Sequence, residues 1–482
     1  MRHIILLLVL LLTACSSSTA QPIMATLPVE TSTPIPPATE SPTATNTPVP
    51  IPEREKYIIN TFLDYDQHFI DVDQDIIYPN HTGQQLTTLT LAVPPNFWPN
   101  CFYLMELQVD GNIVTNYSFN LHRLDIPLPT PLEPDSVSTI SLRYSIFLPF
   151  MDQVNSQRAR IFGYSDLQMN LVNWYPFVVP FKDGEWIIRE PWSHGEYLVY
   201  PMADFEVNLK FANPDTAPII AASGPAEPNG EFTRYTLTGG RAFAISASRD
   251  FLVSSTQVGE TVVYSYHLPI YQVAGEAAML TSAQAIQVYS QMFGPYPHKT
   301  LSVVVADFQD SMEFSALYFH SRSFYNLYDG TPQSYLVSVA AHETGHQWWF
   351  DQVANDQARE PWLDESLTTY SEAIYYEAAH PESLAWWWTN RIDFFRPFGD
   401  IDIPVYEGQD ADTYKYIVYF NGAHFMRDLR GRIGDAAFFA FLQDYYNQGR
   451  GKIVTGDDFF RILDQHTDMD YSDLVSTYFK NR

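Results

Sequence analysis

Cysteine is nearly absent from this chain: 482 residues contain two, Cys15 and Cys101. That excludes a disulfide framework and any cysteine-rich zinc module. Positive charge is also scarce. Lysine and arginine number 27 against 56 aspartates and glutamates, a formal charge of −29. Phosphates and anionic headgroups repel so acidic a chain, which argues against nucleic acid and a bilayer surface as partners of its folded body. Beyond the N-terminal leader, no run is apolar enough to span a bilayer, which takes about 20 residues. Core material is abundant: 46% of residues are apolar and 15% aromatic, which excludes a wholly disordered chain. The length suits roughly two to four domains.

The first fifteen residues, MRHIILLLVLLLTAC, read as an export signal. Arg2 supplies the positive start, and Ile4 to Leu12 is an unbroken apolar run of signal-peptide length. Leu12-Thr13-Ala14-Cys15 resembles the bacterial lipobox, which predicts lipidation of Cys15 and an extracytoplasmic protein anchored to a membrane only through that lipid. Residues 16–53 follow as a tether. Nine prolines, eight threonines and five serines occupy 22 of the 37 positions from 16 to 52, too few apolar groups to offset ordering entropy. The prolines favour an extended, semi-stiff spacer. Cys101 has no reactive context and reads as a small buried hydrophobe.

Residues 54–255 read as an antiparallel β domain. Strand-like stretches at Leu86–Val93, Ile140–Phe147, Tyr197–Val207, Phe232–Leu237 and Ala242–Ser248 are separated by Gly, Pro, Asn and Asp clusters. The aromatic segments Phe162-Gly163-Tyr164 and Asn173-Trp174-Tyr175-Pro176 can line a cleft, with ordinary aromatic core as the default reading. From 256 to 482 the texture is α+β with a dominant helical part. Strands are expected at Val262–Leu268 and Leu301–Ala306, and helices at Glu276–Phe293, Ser334–Phe350, Asp364–Ala379, Tyr414–Ile433 and Asp457–His466. Gly294-Pro295-Tyr296-Pro297 stops the first helix.

One helix carries chemistry. Residues 342–346 read His-Glu-Thr-Gly-His. Positions four apart share a helix face, so His342 and His346 can bind one metal ion, and Glu343 can reach a water on it. The apolar run from Tyr335 to Ala341 predicts a buried helix leading into the site. Glu365, nineteen positions beyond His346, supplies a third ligand from a second helix. Two imidazoles and one carboxylate leave a fourth position for water, the pattern of a catalytic zinc, one per chain.

These motifs resemble the aminopeptidase N-type gluzincin metallopeptidases. The resemblance rests on His342-Glu343-Thr344-Gly345-His346, Trp362-Leu363-Asp364-Glu365-Ser366, Asp310-Ser311-Met312-Glu313-Phe314, Val418-Tyr419-Phe420-Asn421-Gly422 and Phe293-Gly294-Pro295-Tyr296-Pro297. It implies a saddle-like N-terminal β domain followed by a thermolysin-like, mainly helical catalytic domain. It also implies peptide substrates, Glu343 as general base, and Tyr419 donating to the oxyanion, with Tyr414 and Tyr416 as rivals. Glu313, with Met312 beside it, would bind the substrate's free amine. Glu372 is either a partner of a ligand or a solvated carboxylate. Asp310, Phe314 and Asn421 stand where the family has Gly, Asn and Lys, which bears on strict aminopeptidase specificity. The sequence ends at Arg482 where many relatives continue, an expectation of a more open cleft. The leading expectation is a tethered zinc aminopeptidase. The alternatives are an open-cleft endopeptidase, an epoxide hydrolase of the same family, or a catalytically silent peptide-binding lipoprotein. No sequence feature sets an oligomeric state.

Overall fold

A computed structural model of the chain describes residues 54–151, 161–407 and 410–482. The leader, Cys15 and the tether up to residue 53 lie outside the described residues.

The N-terminal half is β, as its alternating patterns predict. Glu55–Asp64 and Phe69–Pro79 alternate buried and more exposed positions, which places one face of each strand on a core. They sit in the middle of an eight-stranded sheet that runs from Ala226–Asn229 at one edge to Asn112–Ile113 at the other. Its pairings are antiparallel except one: Glu55–Asp64 runs parallel to Ala203–Phe211. Two four-stranded sheets and the short ribbon Phe181–Lys182 with Glu185–Trp186 complete the described part of this half. One of the two sheets contains Leu86–Ala92 and Arg123–Leu132, the other Met169–Leu171 and Ile245–Ser248. The strand expected at Tyr197–Val207 begins only at Ala203. Pro201, lacking an N–H for the ladder, stands just before it. Phe162, Trp174 and Tyr175 are core side chains, and Cys101 is buried, its thiol pushed up to about 12 by that burial.

The second half opens with a five-stranded sheet ordered Leu252–Val258, Thr261–His267, Thr300–Ala306, Leu317–Ser321, Met312–Phe314. Thr300–Ala306 is buried at every position, as a central strand with both faces covered should be. Met312–Phe314 pairs with Leu317–Ser321 alone, so its other edge is unpaired. Helices Gln272–Met292, Tyr335–Gly345 and Trp362–Ala379 pack together beside this sheet. Tyr289 ties the three, its hydroxyl donating to the carbonyls of Ala341 at 3.2 Å and Ser371 at 2.9 Å.

The helix expected over Ser334–Phe350 stops at Gly345. The indole N–H groups of Trp348 and Trp349 donate to Gly294 O and Ser371 Oγ, and these tertiary bonds draw the chain off the helical path. Phe350 takes φ 142°, outside any helix. The helical stretch expected at Tyr414–Ile433 is continuous from Ala411, but Tyr416–Asn421 is a π-helical turn.

The two halves are clamped by Arg241. Fully buried, it donates to the carbonyls of Tyr200, Asp351, Gln352 and Lys452 at 2.8–3.2 Å. Arg189 adds an ion pair to Asp356 at 2.6 Å.

Candidate active site

Ser334 caps the motif helix, its hydroxyl accepting from the N–H of Val337. After the half-buried Tyr335, the remaining ten residues of the helix, Leu336 to Gly345, are all buried. A helix surrounded on every side needs no polar face, which is why the stretch before the motif is apolar apart from Ser338, whose hydroxyl donates back to the Ser334 carbonyl. His342 and His346 emerge at its end with their Nε2 atoms 3.1 Å apart. The neighbouring helix brings Glu365 Oε2 to 3.2 Å from His342 Nε2 and 3.6 Å from His346 Nε2.

These separations test a metal directly. Zinc bonds of about 2.0–2.1 Å in tetrahedral geometry put ligand atoms roughly 3.3 Å apart. The observed triangle of donors straddles that value. Glu365 Oε2 is also buried with no hydrogen-bond partner, a costly state that a cation relieves. His342, His346 and Glu365 therefore fit one zinc ion. Glu313, Glu343 and His346 also bring ligand atoms within 4.8 Å of one another. That group shares His346, and its two carboxylates have other placements, described below.

The outward nitrogens are held from behind. His342 Nδ1 lies 3.0 Å from Glu372 Oε1. Glu372 in turn accepts two bonds from Arg391, at 2.8 and 3.1 Å, and one from the Trp387 indole at 2.8 Å. Of its two readings from sequence, the structure finds it a fully buried partner of His342. His346 Nδ1 is 2.7 Å from Asp364 Oδ1 and 3.2 Å from the Trp349 carbonyl. Such contacts orient ligand rings and fix which nitrogen faces a metal.

Glu343 is buried, and its Oε2 has no partner. Burial pushes its carboxyl up to about 7, against the pull of His342 and His346. Burial likewise raises Glu313 well above the carboxylate range, with Glu196, Asp364 and Glu365 adding and His346 opposing. Burial opposes ionisation of Glu365 too, but the two histidines outweigh it and hold its carboxyl low. The Tyr419 hydroxyl is raised by burial and by the carboxylates of Glu365 and Glu196, which keeps it a donor.

Tyr419 sits in the π-helical turn, its hydroxyl donating to Glu365 Oε1 at 2.6 Å. Tyr414 and Tyr416 line the same cavity, of about 400 Å³. Met312 and Glu313 reach it from the unpaired strand edge. The turn after that strand is pinned by Gln347, two residues beyond the end of the motif helix, which accepts from the N–H of Ala316 and donates to Phe314 O. Of the family departures, Asp310 lines the cavity, Phe314 is core, and Asn421 donates to the Gly399 carbonyl.

Three contributors had no sequence signal. Gln357 donates to both Glu313 Oε1, at 3.2 Å, and Asp364 Oδ2, at 2.6 Å. Arg391 anchors Glu372 from a second π-helical turn, Trp387–Ile392. Glu196 reaches the cavity from the β half, in a stretch without regular structure.

Comparison with known proteins agrees with this geometry. Residues 277–478 match the Peptidase family M1 domain. Leucine aminopeptidase 2 of Neosartorya fischeri is 30% identical over 134 residues, 26% of this chain and 22% of that protein. Aminopeptidase M1-D of Oryza sativa subsp. japonica is 24% identical over 229 residues, 43% of this chain and 26% of that protein. The chain thus spans about a quarter of the length of these curated relatives. An M1 zinc metallopeptidase from Deinococcus radiodurans superposes over 88% of this chain and 92% of its own, with a TM-score of 0.62 at 18% identity. Aminopeptidase A of Legionella pneumophila gives 0.63 at 16% identity, over 88% of this chain and 49% of its own. At such identities these likenesses establish the fold alone; the matched domain makes residues 277–478 a Peptidase family M1 domain, the zinc-metallopeptidase domain of the aminopeptidase N-type gluzincins.

Proposed function

We propose that this protein is a zinc aminopeptidase that removes N-terminal residues from peptides outside the cytoplasm. The observation that carries the reading is the position of Glu313. Its carboxylate lies within 4.8 Å of those of Glu343 and His346's ring nitrogen, on an unpaired strand edge beside the zinc-ligand group. An ammonium gripped there puts the first peptide bond, and no later one, beside the metal ligands.

His342, His346 and Glu365 would hold the zinc, which when bound supplies the Lewis acidity that makes water a nucleophile near neutral pH. The chain's own residues do the rest. Glu343 takes the proton of the attacking water and hands it to the leaving amine. Tyr419 turns its hydroxyl from Glu365 to the oxygen that gains charge at the scissile carbonyl. Glu313 and Glu196 hold the substrate's ammonium in a poorly solvated pocket, where an ion pair is stronger than in water. Gln357 keeps Glu313 aimed. Glu372 and Asp364 fix the two imidazole rings.

The experiment uses the zinc-loaded chain with a set of peptides and their N-acetylated twins, followed by mass spectrometry, with Glu343→Gln as control. Stepwise shortening of the free peptides alone is expected. Internal cuts in both sets would refute the reading and make the protein an endopeptidase. The lipid anchor rests on the residues ending at Cys15: metabolic labelling with palmitate should mark the wild type and not Cys15→Ala, and unlabelled wild type would refute it.

A further inference from the structure

The strand that carries Glu313 is short and held on one side. Met312–Phe314 is three residues long and pairs with Leu317–Ser321 alone, so few backbone bonds fix it. Its ladder with that neighbour ends at the pair Met312 and Phe319. At the next positions, Ser311 and His320, side chains take over. Ser311 Oγ lies 3.2 Å from His320 Nδ1 and accepts from the N–H of Ser321 at 3.2 Å. Ser311 is half-buried and lines the same cavity as Glu313. His320 is fully buried among the rings of Tyr318, Phe324 and Tyr325, and nothing in the reaction above uses it.

The far side of the imidazole fixes where its proton sits. His320 Nε2 lies 3.0 Å from the carbonyl oxygen of Leu336, in the first turn of the helix that bears His342 and His346. A carbonyl only accepts, so Nε2 carries the ring proton and Nδ1 is bare. The Ser311 hydroxyl must then donate to Nδ1. Burial pushes the imidazole down to about 4, so near neutral pH it is uncharged and keeps both bonds. His320 is thus a strut, reaching the residue before the Glu313 strand on one side and the motif helix on the other. Gln347, just beyond that helix, ties the opposite end of the strand through Phe314 O and the N–H of Ala316. Both ends of the strand therefore take their position from the segment that positions the two histidines. A phenylalanine would suit the aromatic surroundings of His320 but would make neither bond. We propose that His320 is a positioning residue that, through Ser311, holds the Glu313 carboxylate at its distance from the metal ligands and so sharpens the preference for a free N-terminus. The inference rests on the aminopeptidase reading, in which Glu313 grips the ammonium, and it adds a residue that acts on that grip without touching substrate.

The test compares kcat/KM for Ala-Ala-Ala-Ala and for its desamino twin, propionyl-Ala-Ala-Ala, with the zinc-loaded chain. The twin lacks only the ammonium, so damage to the fold or the metal site slows both, whereas a misplaced Glu313 slows the free peptide alone. The wild type should favour the free peptide. Ser311→Ala and His320→Phe should each lower that ratio about tenfold, short of the roughly 100-fold that a full ångström of misplacement costs. Ser311→Thr keeps the hydroxyl and should keep the ratio. Ser311→Ala, at a half-buried position, carries the result if His320→Phe fails to fold. An unchanged ratio in these variants, with Glu313→Gln still abolishing it, would overturn the proposal and leave the aminopeptidase reading intact. Equal slowing of both substrates would also overturn it, since a merely structural role does that. A wild type that cuts both twins equally would overturn the aminopeptidase reading and the proposal with it. If neither is cut, calorimetry on zinc-loaded Glu343→Gln supplies the ratio from Kd values, and the same outcomes decide.

Discussion

Gly422→Ala probes how closely the helix carrying Tyr419 must approach the helix carrying Glu365. A Cβ at Gly422 would stand 2.0 Å from Ser366 Oγ, 2.4 Å from its Cβ and 3.1 Å from its Cα. The obstacle includes backbone, so rotating the serine does not remove it. Restoring ordinary contact requires the helix to shift by roughly an ångström, and overpacking of this kind costs about 1–3 kcal/mol. Tyr419 lies three residues before Gly422 on the same continuous helix, with its hydroxyl 2.6 Å from Glu365 Oε1. The shift would break that bond and the one from Ser366 Oγ to Val418 O. Misplacement of a catalytic group by about 1 Å costs on the order of 100-fold in rate. We expect Gly422→Ala to lower kcat by about that factor and to reduce Tm by several degrees, read by steady-state kinetics and calorimetry. Adding Ser366→Gly removes both the Oγ and the Cβ that clash, so the double variant should recover part of the rate and of the stability, a coupling that a double-mutant cycle reads directly. Two independent, additive losses would refute the steric argument, as would a Gly422→Ala enzyme with unchanged kinetics.

Glu372→Gln removes the charge behind His342 and leaves Arg391 buried without its counter-ion, so zinc affinity should fall about 10–100-fold, measured by chelator competition. Arg241→Met strips the donors from four buried carbonyls and should destabilise the chain by about 3–5 kcal/mol in urea, because those acceptors are left dry. Glu55 gives a pH signature: burial pushes its carboxyl up to about 8 from 4.5, opposed by the hydroxyl of Tyr57. The folded chain therefore holds a proton that the unfolded chain releases. The resulting stability is complete below pH 4.5 and is lost as pH rises toward 8, by up to about 1.4 kcal/mol per pH unit. Glu55→Gln should flatten that decline between pH 5 and 8 in denaturant titrations, and an unchanged slope would count against it.

Several elements were legible because their physics is local. The strand periodicity of Ile140–Phe147, the stop at Gly294-Pro295 and the apolar approach to His342 depend on neighbours a few residues away. The pair His342 and His346 is readable for the same reason: a helix sets two side chains four apart on one face whatever surrounds it. Glu365 was accessible through its spacing, although only the packing of two helices brings its Oε2 to 3.2 Å from His342 Nε2. Expectations failed where tertiary bonds override local preference. Trp348 and Trp349 end the motif helix at Gly345, and Pro201 delays the strand to Ala203.

What the sequence determined by itself was the order of a β part before a mainly helical one and the types of the candidate metal ligands, because composition, periodicity and i to i+4 spacing travel with the chain. The tertiary structure decided the rest. It turned Tyr419, rather than Tyr414 or Tyr416, onto Glu365 through a π-helical turn whose Val418 carbonyl is taken by Ser366. It resolved Glu372 as the buried partner of His342, and it brought Gln357, Arg391 and Glu196 to the cleft. Glu196 and Glu313 come from stretches more than a hundred positions apart, and only the docking of the two halves makes them neighbours.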